Sequence, residues 1–257
     1  KSIILLIITL IILILVFINL AINLYYNQDL KKFVYNKLFP KEEININFPF
    51  TGDPEDRVWA KKILDGGYIV YIRHAQRNYE FEGTGVFDLL ESDVHNNGNN
   101  GTRYAENDYF ASAVCLTNEG KIQSKAIGEF FKEINFPTGK IYTSPSCRAR
   151  QTAEIIFGRY DVIDRHLLHA GVHYETKESR YKNLREVFNS MPIEESKNTI
   201  VTAHGNVVIS DIFENPHQRN LKIGQAGMII LARENEKLEV LHTFDKFDKF
   251  IRALYER

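Results

Sequence analysis

The chain has 257 residues, 44% of them hydrophobic and 25% charged, which is a globular composition with room for one medium domain or two small ones. Collagen, disorder and a disulfide-stapled miniprotein are excluded. A formal net charge of -1, from 32 Lys+Arg against 33 Asp+Glu, leaves no basic footprint for a phosphate backbone, so nucleic acid is not an expected partner.

The chain opens on its most apolar stretch. Ser2 to Gln28 carry no charge, and Ile3 to Ile18 form an apolar run interrupted at Thr9. Extended to Tyr26, the stretch approaches the roughly 20 residues that cross a hydrocarbon core, where only a helix satisfies its own backbone. A globular core helix does not need Ile and Leu on every face, so residues 1–26 are read as one transmembrane helix, retained as an anchor or uncleaved signal. Tyr25 and Tyr26 fall where an interfacial aromatic belt would lie. Lys31, Lys32, Lys37 and Lys41 come after the helix and only Lys1 precedes it, which by charge counting would hold the body inside. A short tail before a single hydrophobic helix instead exports the remainder of the chain, and an exported body is the expectation.

Residues 27–53 read as a polar linker, and from residue 54 onward helical and strand patterns alternate without an internal repeat. Pro54 to Leu64 reads as a helix ended by Gly66-Gly67, and Tyr68 to Ile72 as a buried strand. A loop rich in Asn and Gly, including Asn96 to Gly101, comes next. Thr117 caps a helix with Ile122, Ala126, Ile127, Phe130, Phe131 and Ile134 at spacings of three to four. Lys140 to Thr143 is a short strand, and Ser144-Pro145-Ser146 opens a helix that ends at Gly158. The pattern continues with a strand at Asp161 to Leu167, a helix near Glu178 to Met191, a strand at Thr199 to Ala203 and a short helix after Gly205. Strands at Gly227 to Ala232 and Leu238 to Phe244 close the reading as a hairpin. The expected body is an α/β domain over residues 54–257, with a mostly parallel central sheet and helices on both faces.

In open α/β sheets, ligand-binding groups gather at the carboxyl ends of strands. Three such ends carry unusual side chains: Arg73-His74, Ser144 to Arg148, and His204. Each histidine is followed by a small residue, Ala75 or Gly205, which would let a ligand approach. Arg148 sits in the first turn of a helix, where exposed amides and the dipole already favour an anion. Two guanidiniums and one imidazole can clamp the nonbridging oxygens of a phosphoryl group while a neutral imidazole attacks phosphorus in line. Such chemistry needs no metal and no cofactor.

Four segments in this order resemble the histidine phosphatase superfamily, which also contains phosphoglycerate mutases. They are Tyr71-Ile72-Arg73-His74-Ala75, Leu116-Thr117-Asn118-Glu119-Gly120, Thr143 to Ala153 and Val201-Thr202-Ala203-His204-Gly205-Asn206. The resemblance spans roughly Pro54 to Phe244 and implies a three-layer phosphoglycerate mutase-like fold. It implies that His74 is the nucleophile, that Arg73, Arg148 and His204 bind the phosphoryl group, and that a further group protonates the leaving oxygen. Where the mutase-like branch places that acid, this chain has His169, with Glu175 further on. Relatives with a long insertion after the first motif carry an acid inside it, which points to Glu106 or Asp108, and Asp108 is the expected donor. Cys115 and Cys147 flank or enter motif blocks and stand as either a bridge or two buried thiols; neither has CxxC spacing nor an Arg six positions later.

The expected function is metal-independent hydrolysis of a phosphomonoester, a phosphorylated small molecule, through phosphohistidine at His74. The alternatives are mutase-like transfer to a second hydroxyl and a non-catalytic, phosphoryl-binding membrane protein. No G-x-S-x-G, G-x-G-x-x-G or P-loop segment supports a serine hydrolase, dinucleotide or nucleotide reading.

Overall fold

A computed structural model describes residues 52–78, 114–168, 176–205, 223–234 and 237–255, all within the compact unit Pro49–Arg257. The expected transmembrane helix, the linker up to residue 51, the Asn/Gly-rich loop and the short helix after Gly205 lie outside the described residues. Among the described residues, no helix is long and apolar enough to cross a membrane.

Helix α1 (Pro54–Lys62) starts where Asp53 accepts a hydrogen bond from the Glu55 amide at 2.9 Å, with proline in its first turn. It leads into strand β1 (Ile69–Arg73), whose side chains are almost wholly buried because helices cover both faces of the sheet. Helix α2 (Asn118–Glu133) begins at Thr117, which caps the Gly120 amide at 3.1 Å as the sequence suggested. Strand β2 (Thr138–Thr143) and helix α3 (Cys147–Phe157) come after it, the helix ending at Gly158 in the left-handed conformation, φ 75°. Strand β3 (Val162–Ile163), helix α4 (Lys177–Ser190) and strand β4 (Asn198–Ala203) are next. Strands β5 (Met228–Glu234) and β6 (Lys237–Phe244) form the expected antiparallel hairpin, and helix α5 (Phe247–Tyr255) succeeds it.

The six strands are ordered β3-β2-β4-β1-β5-β6. β3, β2, β4 and β1 run parallel, whereas β5 is antiparallel to both β1 and β6, so the sheet is mixed. Alternation along β1 divides the core into two layers. Val70 and Ile72 pack with Ala60, Ile127, Phe131, Ile156 and Phe250, from α1, α2, α3 and α5. Ile69 and Tyr71 face the other way, onto Leu184, Phe188 and Met191 at α4 and its end. The result is the expected three-layer α/β arrangement.

Three details correct the sequence reading. The strand expected over Asp161 to Leu167 is two residues long, because the Asp164 carboxylate accepts from the His166 amide at 2.9 Å and turns the chain into a 3₁₀ turn at Arg165–Leu167. Ile122, assigned to the buried face of α2, is 69% exposed. Ala126 is exposed as well, whereas Ile127 and Phe131 are buried as expected; Gly120, Ser124 and Gly128 complete the packed face, since the close approach of α3 demands small residues. A Cβ on Gly128 would lie 2.7 Å from the Ile156 carbonyl oxygen. Finally, α5 was not anticipated, although Phe247, Phe250 and Ala253 recur on one buried face.

Candidate active site

The parallel registers Arg73↔Ala203 and Thr143↔Thr202 bring the ends of β1, β4 and β2 to one edge of the sheet. The ladder then continues one residue past each strand. The His74 amide donates to Ala203 O at 2.8 Å and the Ser144 amide to Thr202 O at 3.0 Å. His74, His204 and Ser144 therefore leave neighbouring strands together, with α3 starting three residues after Ser144.

His74 is 2% exposed, and its ring lies 5.3 Å from that of His204, centroid to centroid. Its Nδ1 faces the Ala75 carbonyl oxygen at 2.8 Å. A carbonyl accepts only, so Nδ1 carries the proton and Nε2 is the basic nitrogen of the neutral ring. His204, also 2% exposed, is held in the opposite tautomer. Arg148 Nη2 donates to its Nδ1 at 3.2 Å, which leaves Nε2–H to donate to Ser144 Oγ at 3.0 Å. Ser144 Oγ also accepts from the Ser146 amide at 3.3 Å, tying the turn before α3 to the same ring.

Arg148 is 3% exposed despite its charge and donates through Nη1 to the Val114 carbonyl at 3.3 Å. Thr152, one turn along α3, donates to the Arg148 carbonyl at 2.7 Å and accepts from the Ala75 amide at 3.0 Å. That pair of bonds joins the loop after β1 to α3. Arg73 donates through Nη1 to Ile223 O at 2.6 Å. Its guanidinium packs on Gly205, where an added Cβ would stand 3.2 Å from Arg73 Nε. The small residue after His204 was expected to admit a ligand; its open side is filled by Arg73 instead. Behind the rings, the Tyr71 hydroxyl donates to the His204 carbonyl. Burial pushes the Tyr71 phenol well above its ordinary pKa, so it remains a donor.

Cys115 and Cys147 form a disulfide, with Cα atoms 4.9 Å apart. Of the alternatives open from sequence, the bridge is the one present. It joins the segment before α2 to the first residue of α3, directly beside Arg148.

The structure thus brings Arg73, His74, Arg148 and His204 together. The candidate acids Asp108, Glu106, His169 and Glu175 lie outside the described residues. Sequence reasoning gave no role to Tyr71, Ser144, Gln151 or Thr152, although each sits inside one of the motif blocks. The signal was present in those hydroxyls and amides clustered beside buried charge, which must be hydrogen-bonded to remain there.

The geometry describes two arginines and two imidazoles in one pocket, with His74 donating through Nδ1 so that its Nε2 is the nitrogen free of that contact. A family model matches residues 106–169, the stretch that includes the second and third motif blocks. The match is to the histidine phosphatase superfamily, branch 1. Three of the solved structures that the chain resembles illustrate the likeness. Phosphoglycerate mutase from Bacillus anthracis str. Sterne is 12% identical over 74% of this chain and 98% of its own, with a TM-score of 0.46. The protein histidine phosphatase SixA complexed with tungstate is 14% identical over 69% of this chain and 96% of its own, with a TM-score of 0.44. A phosphoserine phosphatase from Entamoeba histolytica, in complex with phosphoserine, is 15% identical over 69% and 96%, with a TM-score of 0.42. No curated protein matches the chain. Of the four clustered residues, Arg148 lies within the matched stretch, as do both cysteines of the bridge.

Proposed function

We propose that the protein is a metal-independent phosphomonoesterase that works through a phosphohistidine at His74. The observation that carries this reading is the Nδ1 contact of His74 with Ala75 O at 2.8 Å, which makes Nε2 the nucleophilic nitrogen beside two arginines. Nε2 attacks phosphorus, the N–P bond forms and the bond from phosphorus to the ester oxygen breaks. Asp108 supplies the proton to the departing alkoxide. Water then attacks phosphorus, gives its proton to the Asp108 carboxylate and releases inorganic phosphate, restoring His74. Arg73 and Arg148 hold nonbridging oxygens and stabilise the charge that spreads over them, and His204 joins them by passing its Nε2–H from Ser144 Oγ to the phosphoryl group. The two arginines supply the positive charge that a divalent cation provides in other phosphoryl-transfer sites, so hydrolysis is expected to persist in chelator.

Substitution His74→Ala in the purified body should abolish hydrolysis of p-nitrophenyl phosphate and any acid-labile phosphoenzyme. Unchanged turnover in that variant overturns the reading. A phosphorylated small molecule is the expected substrate class.

We also propose that residues 1–26 anchor the body to a membrane and that the body is exported. The disulfide supports export, because such bonds persist in oxidising compartments. The exported location is periplasmic or extracellular, and a reporter active only in the cytoplasm, fused after the body and found active, would reverse this assignment.

A further inference from the structure

We infer that the Cys115–Cys147 bridge is a positioning element of the phosphate pocket, which holds the Val114 carbonyl where it orients the Arg148 guanidinium. The inference rests on the proposed function, in which Arg148 binds the phosphoryl group.

Arg148 donates to Val114 O through Nη1 at 3.3 Å and to His204 Nδ1 through Nη2 at 3.2 Å. A guanidinium is planar, so two fixed acceptors set the orientation of its whole fork, and one alone leaves the plane able to turn. The two acceptors are held very differently. His204 follows a central strand, and its carbonyl is bound by Tyr71. Val114 belongs to a segment that is not part of the sheet. Among its ties are a bridge pair between Leu116 and Arg77, the bond from the Leu116 amide to Gln151 Oε1 at 2.8 Å, that from the Thr117 amide to Gln76 O at 3.1 Å, burial of the Val114 side chain, and the disulfide, the one covalent tie. Cys115 is the next residue after Val114, and Cys147 is the residue before Arg148. The covalent link therefore ties the neighbour of the donor to the neighbour of the acceptor. Both cysteines are buried, at 5% and 0% exposure, so the bond is built into the pocket wall.

Breaking the bond needs a reductant, and a dithiol suffices. Each sulfur takes up one electron and one proton, and the dithiol closes to its own cyclic disulfide. The Val114 segment is then held by its noncovalent contacts alone, and the Nη1 end of the fork loses its fixed acceptor.

The test compares the oxidised full chain, the dithiol-reduced chain and the Cys115→Ser/Cys147→Ser variant. For each, KM and kcat for p-nitrophenyl phosphate and competitive inhibition by inorganic phosphate are measured well below the melting temperature. Expected is a rise of at least about fivefold in both KM and the phosphate inhibition constant, with a smaller change in kcat, reversed on reoxidation; this scale matches the loss of one charged hydrogen bond. In Arg148→Lys, reduction should bring little further loss, because the fork being oriented is gone. Values within twofold of the oxidised protein, with two thiols titrated, overturn the inference. So does a reduced protein that loses its near-UV circular dichroism at the assay temperature, since the bridge would then be a general staple. If the oxidised protein neither hydrolyses the ester nor binds phosphate, the proposed function itself fails and takes this inference with it.

Discussion

Ser144 Oγ stands 3.0 Å from Nε2 of His204 and accepts the proton that this ring cannot share with Arg148. Arg148, which can only donate, fixes which nitrogen of His204 bears hydrogen, and the hydroxyl satisfies that N–H before any substrate arrives. Substitution Ser144→Ala leaves a buried donor without that acceptor, a loss of about 1–3 kcal/mol. The expected result is a melting temperature lower by several degrees and phosphate inhibition weakened roughly tenfold, because His204 would turn to find another partner. Differential scanning calorimetry and inhibition kinetics read the two effects separately, and a variant with wild-type inhibition shows the hydroxyl to be structural alone.

The identity of the proton donor is open to a leaving-group series. Substitution Asp108→Asn should depress kcat for alkyl phosphates by roughly 100-fold or more, the usual contribution of a general acid. The kcat/KM for p-nitrophenyl phosphate, which reports formation of the phosphoenzyme and not its hydrolysis, should fall far less, because the phenolate leaves without protonation. The same pair of substrates applied to Glu106→Gln, His169→Ala and Glu175→Gln assigns the role; a differential effect in one of these, and none in Asp108→Asn, moves it there.

Gly120 marks the place where α2 touches the loop after the nucleophile. A Cβ there would lie 2.1 Å from Gln76 O, a backbone atom that has little room to yield. Gln76 O is also the acceptor for the Thr117 amide at 3.1 Å, and its own amide donates to Gln123 Oε1 at 3.2 Å. Substitution Gly120→Ala should cost about 1–3 kcal/mol as an overpacking change and lower activity as well, since the displaced residue is two positions from His74. Urea midpoints alongside kcat check both; a fully active, equally stable variant would show that the contact relaxes freely.

Tyr71 gives the fold a definite alkaline signature. Its phenol is held well above its ordinary value by burial, whereas in the unfolded chain it ionises near pH 10. A group raised in the folded state contributes stability that is complete below the unfolded value and declines as pH rises through it toward the folded one. Wild type should therefore exceed Tyr71→Phe in stability at about pH 8, and that margin should shrink between about pH 9 and about pH 11. Urea titrations of both proteins across this range provide the comparison, and a margin that stays constant contradicts it.

The alternation of elements, the buried parallel strands and the four pocket residues were legible because each depends on strong local patterns. β1 is an apolar run up to Arg73 and β4 carries Ile200-Val201 at its centre, and Arg73-His74 and His204 fall at their tips. The features that escaped depend on neighbours rather than on a residue's own character. Ile122 has the spacing of a core position, yet α3 meets α2 along Ser124 and Gly128 instead. Gly205 is small for the sake of a side chain, Arg73, that lies far from it in sequence. The tautomers of His74 and His204 follow from Ala75 O, Arg148 and Ser144, which only the folded chain brings near them. The cysteine pairing was one of two readings until the 4.9 Å Cα separation decided it.

The strand order also bears on how the molecule is made. β4 is threaded between β2 and β1, yet it is synthesised after both. Until residues 198–203 emerge, β1 and β2 lack the neighbour that they share in the finished sheet, and His204, which follows β4, has yet to be made. Thr152 can already tie the loop after His74 to α3, but the second imidazole of the pocket arrives only with the last parallel strand.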